Sequence, residues 1–175
     1  MQTVTQLEIE QAISQASRDV FETMLNLPLV VDPSVMRQII EPETFHGVVA
    51  LVGVAGSWTG TGHISCSPQF AQTIAGALLM AEYDSVNEEV LDAVAEVANM
   101  IVGNVKTIFE ERLGALGLTV PTVIYGRNYH TRSAGVKDWV HVRLHSGEQS
   151  MDINFCLMPS RVPHPMPQRP DLQLA

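Results

Sequence analysis

The chain has 175 residues, nearly half of them apolar, which is enough for one domain with a real core and too few to expect two. Ten basic residues stand against nineteen acidic ones, a net charge of −9. That argues against nucleic acid or an anionic membrane as partner, because no basic patch is available to displace counterions. No run approaches the ~20 apolar residues of a membrane span, and the opening MQTVTQLEIEQ lacks the basic and apolar regions of a secretory signal, so a cytoplasmic protein is expected.

From the N-terminus, Leu7, Ile9, Ile13, Ala16, Val20, Met24 and Leu27 recur at helical spacing and predict an amphipathic helix that ends before Pro28. A connector with Pro33 and Pro42 follows, with a short helical pattern at Met36 to Ile40. GVVALVGVAG then reads as a strand, GSWTGTG as a turn cluster and HISCS as a returning strand, a β-hairpin. Gly56, Gly60 and Gly62 do not fit GxGxxG, and no GK[ST] follows, so turn and close backbone packing explain them better than a phosphate loop.

Ser67-Pro68 predicts an N-cap with proline at the first helical position, opening a helix that carries Phe70, Ile74, Ala77, Leu78 and Ala81. Ser85-Val86-Asn87-Glu88 fits a capping box and opens the longest helix, from about Val86 to Leu113, which Gly114 and Gly117 end. PTVIYG (Pro121 to Gly126) reads as a strand, Arg127 to Gly135 as a polar stretch, and Trp139 to His145 and Met151 to Leu157 as two alternating strands joined by SGEQ. Cys66 and Cys156 lie in strand-like runs without CxxC spacing, and buried free thiols are expected.

Helices that are not interleaved one per strand exclude a doubly wound nucleotide fold. The expectation is α+β: an antiparallel or mixed sheet of about five or six strands, packed with a long N-terminal helix and two central helices. Residues 1–158 form one domain, and residues 159–175, rich in proline, form an extended or disordered tail. The cluster PSRVPHPMPQRP also fits a polyproline II ligand, less well than a plain tail.

Projected at about 100° per residue, the long helix places Val90, Val94, Val97, Ala98, Ile101, Val105 and Ile108 on one stripe, widened by Val102 and Phe109. Asp92, Glu96, Asn99, Gly103 and Glu110 fall opposite. Glu96 and Asn99 are neighbours on the helix surface. A mid-helix glycine costs about 1 kcal/mol relative to alanine, and Gly103 carries that cost on an outward face. Close approach of another surface to the backbone would account for it.

The run EVANMIVGN, with Glu96, Asn99, Gly103 and Asn104, resembles the E-x-x-N helix of the CheX and CheC family of response-regulator phosphatases. The GSWTGTGHISCS hairpin, the helix ending in AGALLM, EEVLDAVAEVANMIVGN and PTVIYG stand in that family's order, so the resemblance covers roughly Gly47 to Gly126. Only Glu96 among the glutamates has Asn three residues on, and one motif per chain resembles CheX more than CheC. The resemblance implies a CheX/CheC-like fold, a homodimer, and a substrate that is a CheY-like receiver domain phosphorylated on aspartate. The receiver would bring its own Mg²⁺ and lysine, with no cofactor or metal bound by this chain. It implies catalytic roles for Asn99, orienting the attacking water, and Glu96, pairing with the receiver's lysine, with Asp92 and Gly103 in docking.

Two other readings stand beside it. One is a non-catalytic receiver-binding or scaffold module on the same fold. The other is a metal-dependent hydrolase using His46, His63, His130, His141 and His145; His141 and His145 share a strand face but lie ~13 Å apart by rise, too far to share a metal.

Overall fold

A computed structural model describes residues 3–32, 45–129 and 138–160. Helix α1 (Gln6–Val20) starts at a capping box. The Thr5 side chain accepts from the Glu8 N–H, while Glu8 reaches back to the Thr5 N–H. It continues into a π-helical turn, Phe21–Leu25, and stops at Asn26, which adopts the left-handed conformation two residues before Pro28. The apolar periodicity is right for Ile9, Ile13, Ala16 and Val20, which are buried, but Leu7 and Met24 are exposed.

Strand β1 (Val30–Val31) is followed by the hairpin β2 (Phe45–Gly56) and β3 (Trp58–Cys66). The expected turn cluster shrinks to Ser57, because Gly60 and Gly62 lie within β3. Gly62 is required by packing: a Cβ there would sit 2.7 Å from Val102 Cγ2 on the helix above. Helix α2 (Pro68–Leu79) is capped by Ser67, whose hydroxyl accepts from the Phe70 N–H at 3.1 Å. Helix α3 (Glu88–Leu113) is capped by Asn87, not Ser85. The Asn87 carboxamide accepts from the N–H of Val90, the first buried residue of the helix, at 3.0 Å. Strands β4 (Leu116–Leu118), β5 (Thr122–Tyr129), β6 (Val140–Ser146) and β7 (Gln149–Pro159) complete the fold.

Among the described residues the sheet has seven strands in the order β1-β6-β7-β3-β2, with β4 and β5 following each other along the outer edge of β2. Every pairing is antiparallel. β1 and β4, with two and three residues, are additions to the sequence expectation. Pro159 belongs to β7, and Ser160 bonds back to Ser57 and Gly56, so the chain is still tied to the sheet there. The Met36–Ile40 pattern and residues 161–175 lie outside the described residues.

All three helices lie on one face of the sheet. Val48, Val52, Ile64, Val142, Leu144, Met151, Ile153 and Phe155 alternate towards them and meet Ile13, Phe21, Phe70, Ile74, Val97 and Ile101 in one core. Arg112 near the end of α3 pairs with Glu8 at the start of α1, so the two helices run antiparallel and are braced across their ends. That ion pair, with the Thr5 hydrogen bonds, holds the Glu8 carboxyl down at about 2.

Ile108 departs from the expected stripe and is 48 % exposed. The buried residues of α3 include Val90, Val94, Val97 and Ile101 at first, then Val105, Phe109 and Leu113 at steps of four. Four residues overshoot a turn by about 40°, so the buried stripe winds around the helix and leaves Ile108 outside it.

Candidate functional site

The outward side of α3 is polar at its N-terminal half. Glu88, Glu89, Asp92 and Glu96 are exposed, and no basic residue appears in the helix before Lys106. Glu88 and Glu89 occupy the first turn, where negative charge complements the helix dipole. Glu96 is exposed and Asn99 is partly exposed, three residues apart on an unbroken helix. Neither side chain takes a hydrogen-bond or ion-pair partner among the described residues, so both are free to meet another molecule.

Asn99 also heads a second row. Asn99, Gly103, Lys106 and Glu110, at helical steps of four, three and four, line the flank of α3 that faces β4. Lys106 Nζ pairs with Glu110 at 2.7 Å and donates to the Leu116 carbonyl at 3.1 Å, and Glu110 accepts from the Leu116 N–H at 3.0 Å. Glu110 therefore has a structural task, and its carboxyl is held below its ordinary value by the Lys106 bond first and the Leu116 bond second. Gly103 is next in the row. A Cβ there would stand 3.6 Å from Leu118 Cδ1, an ordinary contact, so the fold itself does not require glycine at this position. Asp92, one turn before Glu96, is exposed. The structure thus brings Asp92, Glu96, Asn99 and Gly103 to one accessible surface. Sequence reasoning left Lys106 out, although Lys-x-x-x-Glu was a legible i, i+4 pair.

The site is a ridge, not a cavity. Two shallow clefts, one lined by Gln69, Thr73, Gly76 and Tyr83, the other by His46, Ser65 and Asp152, leave Glu96 and Asn99 outside them. A ridge that carries reactive side chains suits a macromolecular substrate with a pocket of its own, since a small ligand needs concave enclosure.

The chain matches the family described as Chemotaxis phosphatase CheX over residues 48–145, a segment that contains the whole of α3. The chain belongs to the CheX family. The CheY-P phosphatase CheX of Thermotoga maritima is 30% identical over 122 residues, 67% of this chain and 77% of that one. Among solved structures, the chemotaxis protein CheX of Vibrio vulnificus superposes with a TM-score of 0.75 at 24% identity, covering 86% of this chain and 99% of the other. The CheX-CheY-BeF3-Mg²⁺ complex of Borrelia burgdorferi gives 0.68 at 23%, covering 84% and 96%. The α+β fold is thus that of CheX proteins, and CheX is a phosphatase family, which favours hydrolysis over a purely non-catalytic docking module.

The metal-hydrolase reading finds no geometric support. Of the histidines in this CheX chain, His141 contacts Asp152 and Asn154, His145 faces Asp32, His46 accepts from Arg127, and His63 meets the Trp139 ring at 5.0 Å between centroids. His130 lies outside the described residues. Among the described residues no three His, Cys, Asp or Glu side chains converge as a metal set, and no helix is long and apolar enough to cross a membrane. Cys66 and Cys156 are buried free thiols, as expected; burial pushes the Cys66 thiol up to about 12, far from a reactive thiolate.

Proposed function

We propose that this chain hydrolyses the aspartyl phosphate of a CheY-like receiver domain, with α3 as the element that enters the receiver's site. The observation that carries the reading is the pairing of Glu96 and Asn99, both accessible and without a partner among the described residues, on one rigid helix. Binding alone would not call for an exposed carboxamide at that point; placement of a water would.

An acyl phosphate already carries a good leaving group, so little acid catalysis is needed, and phosphoryl transfer is governed by positioning and electrostatics. In this reading the Asn99 carboxamide oxygen accepts a hydrogen bond from the attacking water, and its NH₂ donates to a phosphoryl oxygen. The water oxygen bonds to phosphorus as the bond to the aspartyl oxygen breaks, the carboxylate leaves, and the water proton departs with the phosphate formed. A neutral amide approaches the dianionic phosphoryl group without the repulsion that a carboxylate would add. Glu96 pairs with the receiver's active-site lysine and fixes the register of insertion, and Asp92 lies along the same approach. Mg²⁺, supplied by the receiver, offsets charge on the phosphoryl oxygens. The family resemblance also implies a homodimer.

The test is decay of a phosphorylated receiver with the wild type, Asn99→Ala and Glu96→Ala. Loss of one positioned group lowers the rate by ~10²-fold or more. Full acceleration by Asn99→Ala rules the assignment out.

A further inference from the structure

After Gly114 the chain reverses and runs back beside α3. Leu116 is gripped by Lys106 and Glu110, and Leu118 lies against Gly103. Between these two contacts the strand advances two residues, ~6.6 Å, and the helix about five, ~7.5 Å, so the two climb in step. Asn99 is one turn of α3 beyond Gly103, and Val120 is two residues beyond Leu118, so the two segments carry both residues in the same direction from that contact.

Val120 is 87 % exposed. An isolated exposed valine needs no explanation, but this one stands on a pinned support. The Thr119 N–H donates to the Gly53 carbonyl at 2.9 Å, and the Gly53 N–H donates to Thr119 Oγ1 at 2.8 Å. On the other side Pro121 fixes its own φ, and β5 pairing begins at Thr122. Between Leu118, opposite Val54, and Thr122, opposite Leu51, the outer chain holds one residue more than β2. The interruption acts as a bulge, a device that re-aims side chains beside active sites. An apolar group already held rigid loses little conformational freedom on binding.

We propose that Val120 is a docking residue for the substrate receiver: the apolar contact on which its surface seats as Asn99 enters. This rests on the phosphatase reading above. The acidic row from Glu89 to Glu96 supplies the charged part of the interface, and Val120, exposed in the free chain, supplies the apolar part on the β4 side of α3. The partner chemistry is an apolar side chain, or the aliphatic stem of a basic one, on the rim of the receiver's phosphorylation pocket.

The experiment measures dephosphorylation rate against concentration of a receiver phosphorylated with a small-molecule phosphodonor, for wild type, Val120→Asp, Val120→Ala, Asn99→Ala and Ile108→Asp. Val120→Asp raises the half-saturating concentration by about tenfold or more with kcat held within about twofold, and Val120→Ala raises it less. Ile108→Asp, an equal charge change at an exposed apolar residue of α3 away from this surface, stays at the wild-type value. Melting temperatures unchanged from wild type show that the pinned loop survives. If Val120→Asp saturates like the wild type, lowers kcat instead, or is matched by Ile108→Asp, the docking role is overturned while the phosphatase reading stands. If the wild type accelerates no receiver, the phosphatase reading itself fails; if Asn99→Ala keeps full rate, the placement of α3 in the receiver's site fails; in both cases Val120 loses its role.

Discussion

His141 on β6 and Asp152 on β7 meet diagonally across the strand pair, on the side of the sheet turned away from the helices, with Nε2 3.3 Å from Oδ1. The other imidazole nitrogen lies 2.7 Å from Asn154 Oδ1, and Arg143 holds Asp152 through two nitrogens at 2.7 and 3.1 Å. The Asp152 hydrogen bond raises the His141 pKa above its ordinary 6.5, against burial. Burial pushes Asp152 up, but the bonds from His141 and Arg143 outweigh it and leave the carboxyl below 3.8.

The sign follows from these directions. Charged His141 contributes stability in full below pH 6.5, and that contribution fades as pH rises through its raised folded value. Asp152 contributes above pH 3.8 and loses its contribution as pH falls through its depressed value. His141→Gln should therefore lower the melting temperature at pH 5.5, by about 2–4 °C for a loss near 1 kcal/mol. The gap to wild type should narrow at pH 8.5. Melting curves at both pH values check this; a gap of constant size would show that the pair does not titrate.

Gly103→Ala separates stability from function. The new methyl meets Leu118 at van der Waals distance, and the helix gains about 1 kcal/mol of intrinsic propensity. The variant should melt higher than the wild type. If the glycine exists to let a receiver approach the backbone, the same variant should need a higher receiver concentration to reach half its maximal rate. Melting and phosphate-release assays on one preparation read both effects. A stabler variant with unchanged activity would remove Gly103 from the docking surface.

Ser17 is fully buried in α1, and its hydroxyl has no hydrogen-bond partner among the described residues. Replacing it with alanine keeps the Cβ and removes a polar group left dry in the core. Ser17→Ala should raise unfolding free energy by about 1 kcal/mol, read by urea denaturation. A loss of stability would mean that the hydroxyl is satisfied after all.

How much was legible depends on the scale of each signal. Ser67-Pro68 and the alternation of Val140, Val142 and Leu144 are local patterns, and the structure keeps them. The start of α3 was ambiguous because Ser85 and Asn87 are both good caps; burial of Val90, three residues after Asn87, decides between them. Gly60 and Gly62 read as turn residues because glycine serves turns and close packing equally. Only the opposing Val102 side chain identifies the second use for Gly62. β1 and β4 are too short to display a period of two.

The sequence by itself determined the helices, the hairpins and the single Glu96–Asn99 pair, because spacing along one chain fixes which side chains share a helix face. Tertiary structure alone decided where the buried stripe of α3 winds, which sends Ile108 outward. It also brought the chain after Gly114 back along the helix, so that Leu118 meets Gly103. These are meetings between segments remote along the chain or between a helix and the sheet beneath it, and no local period encodes the angle at which they cross.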